Sequence, residues 1–150
     1  MRFFAAFLLV LAACATAPEA PPGGPAPPPP GETAPAPAAR TENVAVAGLV
    51  ESARADAAAG KLSTAAASIE RALRIEPRNP RLWQELARVR LQQMQYDQVE
   101  STARRSNGFA GNDNALRAEN WRLIAQALEA RGDADGARAA RESAEKFSQR

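Results

Sequence analysis

The strongest constraint on the fold of this chain is an internal repeat, in which a residue resembles the one 34 positions further along. Several identical residues recur at this spacing, namely Glu51 and Glu85, Ala53 and Ala87, and Arg54 and Arg88. A fixed period of this length predicts an array of small structural units, each of which buries its apolar face against its neighbour.

A third copy of the pattern follows at a spacing of 38 positions, so that Trp121 and Ala125 correspond to Trp83 and Ala87. Four additional residues therefore have to be accommodated before the third copy. Residues 106–117 contain an Asn-Gly pair and a Gly-Asn-Asp run, which are typical of turns. We predict that the insertion lengthens this connection, where extra residues cost little free energy.

Each copy has the pattern of two helices. In the second copy, Asn79 is placed to cap a helix whose first residue is Pro80, and Tyr96 begins the next helix. Gly60 and Gly132 mark the turn between the two helices in the first and third copies. The sequence therefore predicts an all-α domain over residues 41–150, a short α-solenoid of about three helix pairs.

The repeats resemble the tetratricopeptide repeat over about residues 44–147. The matching residues are the aromatic and small side chains at which neighbouring helices meet, with a turn glycine and a closing proline: Gly60, Ala65, Ala72, Pro77, Trp83, Ala87, Tyr96, Val99 and Ser106. The sequence departs from the family pattern once in each copy. Ser52 stands where the family has a large residue, Met94 stands where it has the turn glycine, and Arg141 stands where it has an aromatic residue. The resemblance implies a protein that binds other proteins through the first helix of each pair.

Residues 1–13 have the composition of a signal peptide. Arg2 supplies a positive charge, and residues 3–13 form an apolar run that is too short for a transmembrane helix, which needs about 20 residues. The run ends in Leu11-Ala12-Ala13-Cys14, which resembles the lipobox of bacterial lipoproteins. That resemblance implies cleavage before Cys14 and lipid attachment to its thiol, and two or more acyl chains anchor a protein stably. The alternative is an ordinary signal peptide with a chance cysteine.

Residues 14–40 combine the lipidated cysteine with a Pro/Ala-rich linker that holds ten of the twelve prolines of the chain. Such a composition cannot build a packed core, so we expect a disordered segment that acts as a spacer or as a passive tether. Ala15 follows the cysteine at a position where an aspartate would resemble an inner-membrane retention signal. We therefore expect a protein anchored by lipid to the outer membrane and facing the periplasm.

The composition of the chain narrows its functional classes. There is no histidine and only one cysteine, so the commonest general base and the usual zinc ligands are missing. We expect that the protein is not an enzyme and that it binds no cofactor, metal ion or small-molecule substrate. The 19 basic and 17 acidic residues are interspersed and give a formal net charge of +2, which does not favour nucleic-acid binding.

The family resemblance carries over to six candidate partner-binding residues on the first helices: Arg54, Arg81, Gln84, Arg88, Arg122 and Gln126. Arg54 and Arg88 occupy the same position in successive repeats, and Arg122 lies one helical turn before that position in the third copy. Stacked guanidinium groups can form bidentate bonds to a carboxylate of a partner. The alternative is that these arginines form a solvated face.

A lipid anchor, a linker and a repeat domain together predict a periplasmic adaptor that binds another envelope protein. A narrower resemblance, carried by the stretch from Ser106-Asn107 to Asn120-Trp121, is to the repeat-type outer-membrane activators of bifunctional penicillin-binding proteins. It implies a penicillin-binding protein as the partner and a role in peptidoglycan synthesis. The alternatives are an assembly factor for a secretion, pilus or outer-membrane protein system, self-assembly through the last repeat, and a cell-wall hydrolase, which the composition disfavours.

Overall fold

A computed structural model of the chain describes residues 44–149, and the predicted signal peptide, Cys14 and the linker lie outside the described residues. The described part contains no strand and six helices: α1 (Val44–Ala58), α2 (Leu62–Ile75), α3 (Pro80–Gln92), α4 (Tyr96–Phe109), α5 (Asn114–Ala130) and α6 (Ala134–Ser148). Consecutive helices pack as three hairpins, α1 with α2, α3 with α4 and α5 with α6. The predicted all-α fold of about three tetratricopeptide-like helix pairs is confirmed. No helix of this region is both long enough and apolar enough to cross a bilayer.

Side-chain caps define where three of the helices begin. The Oδ1 atom of Asn79 accepts a hydrogen bond from the Arg81 amide over 3.0 Å, and Pro80 occupies the first position of α3, as the sequence predicts. Asp113 caps α5 and Asp133 caps α6, and each carboxylate accepts from the backbone N–H three residues later over 2.9 Å. These caps satisfy donors that have no partner within the helix.

The turn inside each helix pair has the same backbone conformation. Gly60, Met94 and Gly132 have φ angles of 75°, 60° and 82°, all in the left-handed region. Met94 is the only residue other than glycine with a positive φ in the described part of the chain. The second pair therefore makes the turn of its neighbours with a residue whose Cβ disfavours this conformation by about 1–2 kcal/mol.

The small residues of the repeat pattern are buried where helices meet. Nine of them, three in each helix pair, are at most 3% exposed: Ala53, Ala65, Ala72, Ala87, Val99, Ser106, Ala125, Ala137 and Ala144. Larger apolar side chains form two clusters, one that includes Ile69 and Leu86 and one that includes Ile124 and Leu128. Small side chains at the contact positions let the helices approach closely, as the repeat pattern predicts.

The four additional residues of the third copy lie within α5, so the prediction that they lengthen the connection before it is wrong. The first residues of α3 and α5 are 34 positions apart, whereas their last residues are 38 apart. α5 therefore has 17 residues where α3 has 13, and Asn107 and Gly108, which the sequence places in a turn, belong to α4. Because four residues are close to one helical turn of 3.6 residues, the insertion extends the helix while its buried face keeps its direction.

Candidate protein-binding groove

The first helices of the three pairs, α1, α3 and α5, lie side by side and form a surface that we call the groove. Arg54 of α1 donates from Nη2 to the Oε1 atom of Glu85 of α3 over 3.0 Å, and Arg88 of α3 donates to Glu119 of α5 over 3.3 Å. Each contact joins residues that are 31 positions apart, so the second contact repeats the first one helix pair later. The groove is therefore linked across both of its helix-helix boundaries by the same kind of ion pair.

Ion pairs within the helices complete a row of charges, which we call the charge ladder: Glu51, Arg54, Glu85, Arg88, Glu119 and Arg122. The Nη1 atom of Arg54 donates to Glu51 over 2.9 Å, and that of Arg122 donates to Glu119 over 3.1 Å. The glutamates and the arginines of the ladder each recur at a spacing of 34 positions. Arg122 is thus the third member of the series begun by Arg54 and Arg88, and does not lie one helical turn before that position as the spacing of 38 implies. The N-terminal part of α5 keeps the spacing of 34, and only its C-terminal part follows the spacing of 38.

The charge ladder lies largely in solvent. The hydrogen bond to Glu85 and the negative charge of Glu85 raise the pKa of Arg54 and outweigh the opposing effect of desolvation, so this guanidinium stays protonated throughout the physiological range. Ion pairs with this exposure contribute about 0–1 kcal/mol each, so the ladder positions charges more than it stabilises the fold. Within residues 44–149, no group of three or more side chains comes together that could hold a metal ion.

A cleft of about 490 Å³ opens in the groove between α1 and α3. Five apolar residues and four polar residues line it: Ala53, Ala57, Ala58, Ile69 and Val89, with Arg54, Glu85, Arg88 and Gln92. The positions equivalent to Ala57 and Ala58 one repeat later hold Leu91 and Gln92. The cleft therefore lies beside alanines of the first repeat at positions where the second repeat has longer side chains.

The remaining predicted binding residues lie in three different places. Arg81 is exposed near the start of α3 and pairs with Asp113 over 3.1 Å. Gln84 is only 8% exposed and lies beneath the groove. Arg122 and Gln126 line a second cleft of about 300 Å³ together with residues of α6. The six predicted residues are thus divided between two clefts, the start of one helix and the interior.

A hydrogen-bond network is buried beneath the groove, between the second and third helix pairs. The Nε2 atom of Gln84 donates to Oδ1 of Asn120 over 3.1 Å. The Nδ2 atom of Asn120 donates to Oγ of Ser106 over 2.7 Å and to Oδ1 of Asn107 over 2.9 Å. Ser106 donates in turn to the backbone carbonyl of Pro80 over 2.7 Å. Because Asn120 and Ser106 are fully buried, these groups depend on one another for their hydrogen bonds.

Ser106, Asn107 and Asn120 belong to the stretch that carries the narrower family resemblance, but their network is not predicted from the sequence. A signal for it exists in the repeat alignment. Asn120 aligns with a leucine of the second repeat at either spacing. The aligned residue is Leu86 at a spacing of 34 and Leu82 at a spacing of 38. A polar residue on an otherwise apolar stripe indicates a buried hydrogen-bond partner.

Comparison with known proteins agrees with this architecture. A family model described as tetratricopeptide repeat matches residues 56–118. The globular C-terminal domain of P. aeruginosa LpoP is similar to this chain, with 44% sequence identity and a TM-score of 0.66. The match covers 67% of this chain and 95% of that domain, so it spans the repeat region and not a single helix pair. A comparison with curated protein sequences finds no match.

Proposed function

This chain belongs to the tetratricopeptide-repeat family that includes the globular domain of LpoP, and on that basis we propose that it is a periplasmic adaptor that activates a peptidoglycan synthase. The observation that carries the proposal is 44% identity to that domain over 95% of its length. The resemblance of the stretch from Ser106 to Trp121 to activators of penicillin-binding proteins supports the same partner. The role is non-catalytic: the chain binds the synthase and changes its activity.

The groove is the part of the domain that contacts the partner in this proposal. It supplies an open cleft lined by apolar side chains, and fixed charges of both signs beside it. Protein interfaces commonly combine an apolar centre with a polar rim, and this arrangement provides both within one surface. Arg54 and Arg88 lie at the cleft, and Arg122 extends the same row of charges along α5.

The position of the domain in the cell completes the proposal. Cleavage after residue 13 and acylation of Cys14 attach the chain to the outer membrane, on its periplasmic face. A linker that runs to residue 40 spans roughly 80 Å when fully extended, at about 3.1 Å per residue. This reach allows a domain held at one membrane to meet a synthase that projects from another.

The direct test uses the chain from residue 14 onward with Cys14→Ala, so that it remains in solution, and the ectodomain of a bifunctional penicillin-binding protein from the same bacterium. We expect binding in a pull-down and a several-fold faster polymerisation of a fluorescent lipid-linked glycan precursor, with no polymerisation by the chain alone. A peptide that comprises only residues 14–40 is the control and should leave the rate unchanged. Absence of binding, or binding without a change in rate, would contradict the proposal.

A further inference from the structure

The charge ladder consists of two bonded groups with opposite net charge. Arg54 bonds to both Glu51 and Glu85, at 2.9 and 3.0 Å, so this group carries one excess negative charge. Glu119 bonds to both Arg88 and Arg122, at 3.3 and 3.1 Å, so the second group carries one excess positive charge. The charge ladder is therefore negative towards the first helix pair and positive towards the third.

The outer members of the two groups are accessible to a partner. The side chain of Glu51 is 72% exposed and that of Arg122 is 51% exposed. Arg54 already donates to two carboxylates of its own chain, so a carboxylate of a partner would have to displace one of them. Arg122 donates to one carboxylate, Glu119, and to the Ser148 hydroxyl over 3.0 Å, so a partner carboxylate there would displace only a neutral hydroxyl. The internal pairing of Arg54 argues against a groove that recognises acidic groups alone.

The apolar cleft lies where the two charged groups meet. Its lining includes Arg54 and Glu85 of the negative group and Arg88 of the positive group. Ala57 and Ala58 are too short to fill the space that Ile69 and Val89 border, and about 490 Å³ remains open. A cavity of this size accepts a leucine-sized side chain, whose burial favours association.

We propose that the groove selects a partner segment that carries one large apolar side chain between a basic residue and an acidic residue. The apolar side chain enters the cleft, the basic residue lies towards Glu51, and the acidic residue lies towards Arg122. This inference rests on the proposed function, because it describes how the adaptor chooses its partner. The opposite charges at the two ends fix the direction in which the segment lies in the groove.

The test is selection of random 12-residue peptides, displayed on phage, against the chain from residue 14 onward with Cys14→Ala. We expect the selected peptides to share one Leu, Ile, Met or Phe with Lys or Arg on one side and Asp or Glu on the other. Ala57→Leu should weaken binding of a selected peptide roughly tenfold, since it fills the cleft with the residue that the second repeat carries at this position. Because the equivalent Leu91 packs in the second repeat, the variant should keep the helical circular dichroism of the parent.

Charge variants test the two ends of the groove separately. Glu51→Arg and Arg122→Glu should each weaken binding about threefold to tenfold at low salt, and less at high salt. Glu142→Arg on α6 is the matched control for Glu51→Arg, and Arg138→Glu on α6 is the matched control for Arg122→Glu. Each makes the same charge change at an exposed position outside the groove and should leave binding unchanged. Selected peptides that carry only acidic residues, or selection without a shared pattern, would overturn the proposal, as would unchanged binding in Ala57→Leu.

The selection does not involve a penicillin-binding protein, so its failure is distinct from failure of the proposed function. If the synthase binds the parent chain but binds Ala57→Leu equally well, the cleft is not the contact, and the adaptor role stands without it. If the peptides show the expected pattern but the synthase does not bind, the groove chemistry stands and the partner is a different envelope protein.

Discussion

Gln84 and Asn120 are joined by a 3.1 Å hydrogen bond inside the interface between the second and third helix pairs. Both fall on positions where another repeat has an apolar residue, Val50 for Gln84 and Leu86 for Asn120. An apolar contact tolerates small displacements, whereas each member of a buried polar network needs a partner at a defined distance. The network therefore favours one position of α5 against α3 and α4.

Asn120→Leu should destabilise the domain even though it restores the apolar pattern of the repeat. The amide of Gln84 and the hydroxyl of Ser106 would lose a partner while buried, at a cost of about 1–3 kcal/mol in the free energy of unfolding. Urea denaturation measures this change. The double variant Gln84→Leu/Asn120→Leu should recover part of the loss, and equal stability of Asn120→Leu and the parent would show that the network contributes nothing.

Met94→Gly should stabilise the domain by about 0.5–1 kcal/mol. The substitution relieves the left-handed strain at φ 60°, which outweighs the greater flexibility of glycine in the unfolded chain. The Met94 side chain is 72% exposed, so little buried apolar area is lost. Met94→Ala serves as the control because it keeps the strain, and a similar gain in both variants would assign the effect to removal of the side chain.

The substitutions Gly136→Ala and Asp133→Ala should have coupled effects on the free energy of unfolding. A Cβ atom at Gly136 would overlap the side-chain carboxylate of Asp133, so Gly136→Ala displaces the carboxylate that caps α6. Loss of the cap costs about 0.5–2 kcal/mol, which cancels the gain of about 1 kcal/mol from alanine in a helix. In the Asp133→Ala background no cap remains to be displaced, and Gly136→Ala should then stabilise. Thermal unfolding of the four variants of this cycle measures the coupling, and additive effects would contradict the predicted conflict.

Arg88→Glu should weaken partner binding while leaving the helical circular dichroism signal unchanged. The Arg88 side chain is 44% exposed and its single ion pair contributes about 0–1 kcal/mol, so the fold tolerates the change. Arg138→Glu on α6 makes the same charge change outside the groove and is the matched control. Binding can be followed by fluorescence anisotropy with a labelled partner ectodomain, and equal affinities of the parent chain and Arg88→Glu would exclude this part of the groove from the interface.

Cys14→Ala should abolish function in cells and leave partner binding in solution intact. The substitution removes the thiol to which the proposed lipid is attached, and it leaves the repeat domain unchanged. Membrane fractionation together with complementation of a deletion strain measures the first effect, and the pull-down measures the second. Full complementation by Cys14→Ala would show that the anchor is dispensable.

The repeat architecture could be predicted from the sequence because its determinants are local and periodic. Alanine at positions such as Ala53 and Ala87, one repeat apart, indicates close helix contacts before any tertiary structure is known. Asn79 followed by Pro80 specifies a helix start through chemistry that operates within a few residues. Glu51 and Arg54 lie within one helical turn, so their ion pair also follows from spacing.

The location of the insertion could not be predicted in the same way. Four extra residues in a turn and four extra residues in a helix produce the same displacement of Trp121 and Ala125 along the chain. Asn107 and Gly108 have turn propensity, but Asn107 accepts a hydrogen bond from Asn120 while it remains in α4. A tertiary contact therefore outweighs the local preference at this point.

The order of amino acids alone specifies a three-unit helical array, because the small residues, caps and turn residues that define it act over short distances and recur with a period. What the arginines of that array do depends on the packed fold. Arg54 meets Glu85, and Arg88 meets Glu119, because the stacking of α1, α3 and α5 brings together residues 31 positions apart. The same stacking buries Gln84 and leaves the cleft beside Ala57 open. Both outcomes depend on how the three helices fit together, which the local sequence does not specify.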